Sequence, residues 1–455
     1  MRRLFVLLAG LPAITSIAIL ACSSDESGGE PAPVPVVDAA REAEPAEASV
    51  VDAGTAETCV PVDVPAPTKK WCDTGTDAPG IQVPAGFCVR EYTTTPILEA
   101  RVLRFAPNGD LFVTAPSLTT VGAARGGTGS IVVLPDDDGD GKADTVLAYA
   151  GAAPDAGSTD AGASCATFEG DPASLACVHG LAFTGEHVYF TRSDEVRRFP
   201  YTKGDRKAPA GPGELVATLG SASVPDARWT HTLELTKDGS LYVSRGRFDT
   251  DQCTPEEMAR GAVFELPIQK GGALPLTPDL VANGFRNPMY LRCSPSSCGD
   301  CYASELSGDN WDGVGGREKL CLLAKGQNWG FPCCVSKDKP NTNAGNADCS
   351  GVPAELVAVP LHDTNFGLDF ERGLFPAPYR HGIFVALHGA FTSFGGTAVV
   401  WLPVDPLTLR PNGAPQLFAK GFDPGGRATD VAFAPDGRLF IADDTMGKIY
   451  WVAPR

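Results

Sequence analysis

One phrase recurs along this chain and limits the folds open to it: an apolar strand, a tight turn, then a second alternating strand. The clearest copies run over Val102–Val113 and Val431–Ile441, turning at Asn108-Gly109 and Asp436-Gly437. A third, Leu233–Val243, turns at Asp238-Gly239; a fourth, Leu181–Phe190, has an altered turn at Gly185-Glu186. Asn-Gly and Asp-Gly between alternating strands mark hairpins, because glycine tolerates the positive φ that the twisted turn needs. Two further copies carry insertions. One starts at Pro288–Leu291 and resumes at Cys301–Ala303; the other starts at Gly367–Phe370 and resumes at Gly382–Leu387. Most copies end in a third strand, as in Ser130–Leu134, Val196–Pro200, Ala262–Leu266, Val399–Pro403 and Lys448–Val452.

The repeats amount to six small antiparallel sheets. One such sheet cannot hide both faces or its edges, whereas radial stacking around an axis solves both problems. Helical periodicity is nearly absent after residue 90, which removes a parallel βαβ architecture. The expected fold class is therefore all-β, a six-bladed β-propeller over residues 84–455. Residues 84–98, including Phe87–Tyr92, are expected to supply the strand that closes the ring. A β-sandwich explains the repeated phrase less well.

The N-terminus has a different character. Arg2 and Arg3 precede the apolar stretch Leu4–Leu20, which ends at Ile19-Leu20-Ala21-Cys22. This reads as an export signal over residues 1–21. It resembles the bacterial lipobox, in which the thiol of the residue matching Cys22 takes a lipid; an uncleaved anchor helix is the alternative. Ser23 after the cysteine favours an outer-membrane lipoprotein of a bacterium, periplasmic or surface-exposed, tied to the membrane through its lipid alone. Between Ser23 and Glu57 stand nine acidic residues and one arginine among Ala, Pro, Gly and Val. Such a segment cannot bury enough apolar surface to offset its chain entropy, so residues 22–83 are expected to form a disordered tether.

Apart from Cys22, thirteen cysteines remain. In an exported chain they read as disulfides, with Cys165–Cys177 a plausible loop staple and one thiol left over. Cys293, Cys298, Cys301 and Cys321 also allow a zinc site, although no histidine accompanies them. The net charge of -18 repels phosphate backbones, so nucleic acid is excluded as a partner.

Two constellations carry chemistry. Asp136, Asp138, Asp140 and Asp144 occupy positions 1, 3, 5 and 9 of a loop with Gly141 at position 6. This is the first half of an EF-hand-type calcium loop, without the bidentate residue, since position 12 is Leu147. Calcium as a structural clip stands against a merely solvated acidic loop. The second constellation lies where inner strands begin: His179, Arg228, His231, Arg286, Asn287, His388 and Arg427. In a propeller these positions face the central channel. A cationic centre in an acidic chain suggests an anionic ligand.

Four motifs carry a resemblance over residues 85–455: Gly284-Phe285-Arg286-Asn287-Pro288, Lys325–Pro332, Phe384–Gly389 and Gly426–Val431. The chain resembles the soluble sugar dehydrogenases that use pyrroloquinoline quinone, including the sorbosone, aldose and pyranose groups. The resemblance implies that Arg286, Asn287, His388 and Arg427 contact the quinone; His179, by its place at a strand entry, is expected to bind the cofactor with them. It implies an active-site calcium on backbone carbonyls of Glu305–Asn310, with Gly308 and Asp309 as metal residues. A sugar or polyol substrate and an external electron acceptor follow from it.

One stretch departs from the family. Its general base is a histidine in His-x-Thr-Arg-x-Leu, and this chain reads Arg228-Trp229-Thr230-His231-Thr232-Leu233. Arginine stays protonated and cannot be the base. In a regular strand His231 points away from the face of residue 228, whereas a bulge turns it inward. Where aldose-type members carry an acidic residue near the base, this chain has Ser244-Arg245-Gly246-Arg247. Two functions fit: a quinone-dependent sugar dehydrogenase with His231 and Arg228 at its catalytic centre, or a lapsed propeller that binds an anion or carbohydrate.

Overall fold

Each repeated phrase folds into one blade of a six-bladed β-propeller. The computed structural model describes residues 58–455 apart from 74, 94, 117–128, 152–173, 176, 194, 220–228, 248–251, 309–316, 361–362, 390–395 and 423–424. The export signal, Cys22, Cys165, Arg228 and Asp309 thus lie outside the described residues. None of the described helices is long and apolar enough to cross a membrane.

The inner hairpins are the strands foreseen. The first blade comprises Leu103–Phe105, Leu111–Ala115, Ser130–Leu134 and Leu147–Gly151. The second holds Val178–Phe183, His187–Arg192, Glu195–Pro200 and Glu214–Thr218. The third holds Leu233–Leu235, Leu241–Arg245, Ala262–Leu266 and Asp279–Asn283, extended by Gln327–Asn328. The fourth is Asn287–Cys293, Cys301–Leu306, Arg317–Leu322 and Val357–Pro360; the fifth is Asn365–Phe370, Ile383–Leu387, Ala398–Leu402 and Gln416–Ala419. In the sixth, Ala428–Phe433, Leu439–Asp443 and Lys448–Pro454 are completed by Phe87–Glu91, which pairs antiparallel with the last strand. That pairing closes the ring as expected. Gly109, Gly239 and Gly437 all have φ between 84 and 95°, as their hairpin turns require.

Apolar packing fills the wedges between blades. Phe87 of the closing strand meets Phe375 and Phe418 edge to face, at ring centroid distances of 4.9 and 5.3 Å. Burying each such ring stabilises by about 2–3 kcal/mol. Hydroxyls stitch neighbouring blades. Thr114 Oγ1 accepts from Val102 N (3.1 Å) in its own blade and donates to the His179 carbonyl (2.8 Å) in the next. Thr191 repeats this with Gly180 N (2.6 Å) and the His231 carbonyl (2.5 Å). The entries of the second and third blades are thereby hung from the strands before them.

The axis is filled with charge. Arg104, Glu234, Arg292 and Asp369 sit opposite Phe112, Tyr242, Tyr302 and Phe384 in their hairpins. Ala182 and Ala432 occupy the equivalent places opposite Tyr189 and Phe440. The two arginines of this set reach Asp430, which enters two residues earlier in the sixth blade. Arg104 lies 3.1 Å from Glu234 and 3.7 Å from Asp430; Arg292 lies 3.8 Å from both Asp369 and Asp430. Backbone groups meet the remaining valences: Asp430 accepts from Leu103 N and Val431 N, and Arg292 donates to the Leu368 and Val431 carbonyls.

Two sequence expectations are corrected. The tether does not extend to residue 83. Cys59 is bonded to Cys298, Cys72 to Cys88, Trp71 lies under the Arg438 guanidinium, and Gln82 pairs with Lys420. Composition alone misjudged this stretch because covalent ties act together with the burial of Ala78 and Ile81 to offset its chain entropy. The zinc alternative falls as well: Cys293 is bonded to Cys301 and Cys298 to Cys59. Further disulfides join Cys253–Cys333 and Cys334–Cys349; Cys177 is also bonded, and Cys321 is the leftover, buried thiol.

Burial pushes the Asp430 carboxyl up to about 6, against the pull of Arg292 and Arg104. The folded state therefore holds this proton more tightly than the unfolded chain does. Stability is expected to fall as pH rises from about 4 to about 6, where only the folded form stays protonated. Asp430→Asn is expected to make that slope shallower, the buried Asp443 and Glu305 carboxyls supplying the rest, although it also loses one of two backbone acceptor contacts. Urea unfolding across this pH range checks it: an unchanged slope in the variant contradicts the assignment.

Candidate functional site

The strand entries are irregular, and the irregularity aims their side chains. The pairing register slips at the entries of the second, fourth, fifth and sixth blades, at Val178/Leu181, Pro288/Tyr290, Asn365/Leu368 and Ala428/Asp430. Such bulges re-aim a side chain and end the ladder. The third blade uses another device. Its inner strand begins only at Leu233, and His231 N donates to the Trp229 carbonyl at 3.0 Å, a three-residue bend. Strand alternation therefore does not govern His231, and neither arrangement considered from the sequence applies as stated.

The entries meet in a buried polar layer. His388 Nε2 lies 3.0 Å from Asp444 Oδ2, and its Nδ1 lies 3.3 Å from an Arg427 guanidinium nitrogen. Arg101 donates to the same Asp444 oxygen at 2.7 Å and also pairs with Glu99. Phe366 stacks on the His388 ring at 4.2 Å. On the other side of the layer, Asn287 Nδ2 reaches Thr230 Oγ1 at 3.5 Å, one residue from His231. His179 Nδ1 lies 3.3 Å from Thr232 Oγ1, its ring set edge-on to Trp229 and Tyr290. Tyr290 Oη crosses to the Arg101 carbonyl at 2.8 Å and joins the two sides. Burial, Arg101 and His231 hold the His179 imidazole well below its ordinary pKa, so it is neutral.

The structure thus brings His388 and Arg427 into contact, and sets His179, His231 and Asn287 together around Thr230 and Thr232. Arg286 follows on the same entry: its backbone N–H donates to Glu305 Oε1 at 2.7 Å. Burial pushes the Glu305 carboxyl up to about 8, over the pull of Lys319 and Arg286. Asn287 Oδ1, His179 Nε2 and Glu305 Oε2 are buried without a hydrogen-bond partner among the described residues. Glu305 and Leu306 are not part of a loop, since they pair with Pro288 and Asn287 in the fourth blade. Of the segment expected to lend carbonyls to a cation, only Ser307 and Gly308 are described beyond the strand, both buried.

Sequence reasoning missed Arg101, Glu99, Asp444 and the carboxyl of Glu305, which it named only for its backbone carbonyl. Arg101 was findable: it stands eight residues before its turn glycine, Gly109, just as His231 stands eight before Gly239. Asp444 and Glu99 make the layer less cationic than arginine and histidine counts suggested. Arg101 spends its charge on them.

Asp136, Asp138 and Asp140 bring carboxylate oxygens within 4.8 Å of one another, as the loop spacing implied. Gly141 N donates to Asp136, and the Gly141 carbonyl accepts from Trp451 Nε1 at 2.6 Å. Asp144 Oδ2 instead accepts from Asp137 N at 2.6 Å, so it caps the loop rather than joining the three. Three converging carboxylates suit a hard cation. Calcium is expected to raise the thermal midpoint of the wild-type protein, and Asp138→Ala to abolish that rise. A midpoint indifferent to calcium in both proteins identifies a solvated turn.

No family model matches the chain, and no curated protein matches it. Solved structures do. A Trichoderma reesei carbohydrate-active enzyme in a calcium structure superposes with a TM-score of 0.65 at 16% identity, over 84% of this chain and 99% of that one. The quinone domain of a pyranose dehydrogenase from Coprinopsis cinerea, in its holo form, gives 0.61 at 14%, over 86% and 98%. The soluble aldose sugar dehydrogenase of Escherichia coli gives 0.53 at 14%, over 81% and 100%. At these identities the likeness establishes the fold.

Proposed function

We propose that the strand-entry layer binds pyrroloquinoline quinone and that the protein oxidises a hydroxyl of a sugar or polyol, passing electrons to an external acceptor. The observation that carries this reading is the pairing of Arg286 with Asn287 on one blade entry and His388 with Arg427 on others, inside one buried layer. The group fits the donors present. It is a planar tricarboxylate, and the layer offers guanidinium groups for its carboxylates. The unsatisfied Asn287 Oδ1 and His179 Nε2 are buried polar atoms of the kind a ligand completes. Relatives in fold include the pyranose dehydrogenase quinone domain and the aldose dehydrogenase.

When bound, the quinone supplies a two-electron acceptor. The chain supplies the rest. Arg286 and Arg427 would hold the carboxylates, and the Asn287 amide oxygen would accept from a donor of the ligand. His231 would accept the hydroxyl proton, its backbone pinned by the Thr191 hydroxyl and the bend at Trp229. Arg228 stays protonated and cannot take that proton. Ser307 and Gly308 would lend carbonyls to an active-site calcium, with Asp309 beside them, and the Asp136–Asp140 loop would take a second, structural one. Export through residues 1–21 and lipidation at Cys22 would place the propeller outside the cytoplasm, on the outer membrane.

Reconstitution with pyrroloquinoline quinone and calcium, followed by dye reduction with aldoses, tests this. The expected result is a spectral shift on binding and turnover that His231→Ala lowers by about 100- to 10,000-fold without losing the shift. A shift without turnover supports the second reading, a lapsed binding module, for which the Arg228/His231 exchange speaks. The absence of both the shift and turnover overturns the proposal.

A further inference from the structure

Four buried groups from three blades stand in line: Arg101, Asp444, His388 and Arg427. Their contacts fix a proton without appeal to any titration. Asp444 Oδ2 lies 3.0 Å from His388 Nε2 and 2.7 Å from the Arg101 guanidinium. A carboxylate accepting from arginine also accepts from the imidazole, so Nε2 carries the hydrogen. Arg427, at 3.3 Å from Nδ1, can only donate, so Nδ1 presents its lone pair. Both ring nitrogens are spoken for. His388 is therefore a neutral Nε2–H imidazole that neither serves as the base nor lends positive charge.

We propose that Asp444 is a positioning residue of the candidate site: through His388 it fixes the direction of the Arg427 guanidinium toward the ligand. The ligand named by this inference rests on the proposed quinone site; the relay itself rests only on these contacts. Several features make Asp444 the anchor. Its side chain is fully buried, its Oδ1 is engaged by Thr445 Oγ1, and its carbonyl accepts from Glu99 N. Burial opposes its charge, yet His388 and Arg101 hold the carboxyl well below the ordinary range. The His388 ring cannot swing aside, because Phe366 covers its face at an interplanar angle of 7°. The charged groups around it are Asp444, Arg101 and Arg427, and burial among them holds its pKa below the usual histidine value. This arrangement parallels the way carboxylate partners orient metal-ligating histidines, with a guanidinium in place of the metal.

The test has two arms. Nitrogen NMR of the His388 ring, assigned by its loss in His388→Gln, is expected to show the neutral Nε2–H tautomer throughout about pH 5 to 8. A ring that titrates in this window, or that carries its proton on Nδ1, overturns the relay. In the second arm, pyrroloquinoline quinone is titrated into wild type, His388→Gln and His388→Leu, each checked for an unchanged thermal midpoint. Glutamine can still donate to Asp444 and accept from Arg427, so its affinity is expected to stay near wild type. Leucine can do neither and is expected to weaken binding about tenfold. Equal loss in both variants overturns the positioning role. If the wild type itself does not bind the quinone, the proposed function fails, and the ring NMR alone decides the relay.

Discussion

The shared axis is the constraint on which the rest of this structure depends. Inner strands that converge radially force equivalent residues into one small volume. Here four of those positions carry charge, and the signs are mixed: Arg104 and Arg292 against Glu234 and Asp369, with Asp430 added from the sixth blade. Buried charges of one sign could not share that space. Mixed charges can, provided that backbone groups satisfy their remaining valences, as the Leu103, Val431 and Leu368 contacts do. The polar layer at the strand entries sits on inner strands already tied together by this ionic cluster.

That layer is held from behind by threonine hydroxyls and strand bulges, in addition to the contacts among its own side chains. Threonines of the first and second blades suspend the entry carbonyls of His179 and His231. Bulges turn the His179 entry itself and the entries of three other strands. Side chains on such entries are placed by the scaffold before any ligand arrives, which lowers the cost of binding one. The electrostatic picture is one of near balance. Asp444 and Glu99 engage Arg101, while Glu305 is held toward its protonated form by burial. A polycarboxylate entering this layer would meet oriented guanidinium donors rather than a diffuse excess of positive charge.

Much of this was legible in the chain. The Asn-Gly and Asp-Gly turns gave away the hairpins, and Phe87–Tyr92 was recognisable as the closing strand because it stood alone ahead of six complete phrases. What composition could not reveal was residues 58–83, whose order comes from Cys59–Cys298 and Cys72–Cys88. Pairing of cysteines 239 residues apart has no local signature. The site was half visible. Arginines and histidines mark the strand entries, whereas Asp444 follows a strand rather than preceding one and so has no signature there. The position of His231 depended on a bend at Trp229 that strand periodicity does not encode.

The central claim is that guanidinium, amide and imidazole groups from separate blade entries form one site for a small polyanion. A crystal structure of the protein with pyrroloquinoline quinone addresses it most directly. The account predicts the quinone within the entry layer, its carboxylates against Arg286 and Arg427 and a polar atom of it against Asn287. A quinone bound on the outer rim, or an entry layer that stays closed with the quinone absent at saturating concentration, would contradict it.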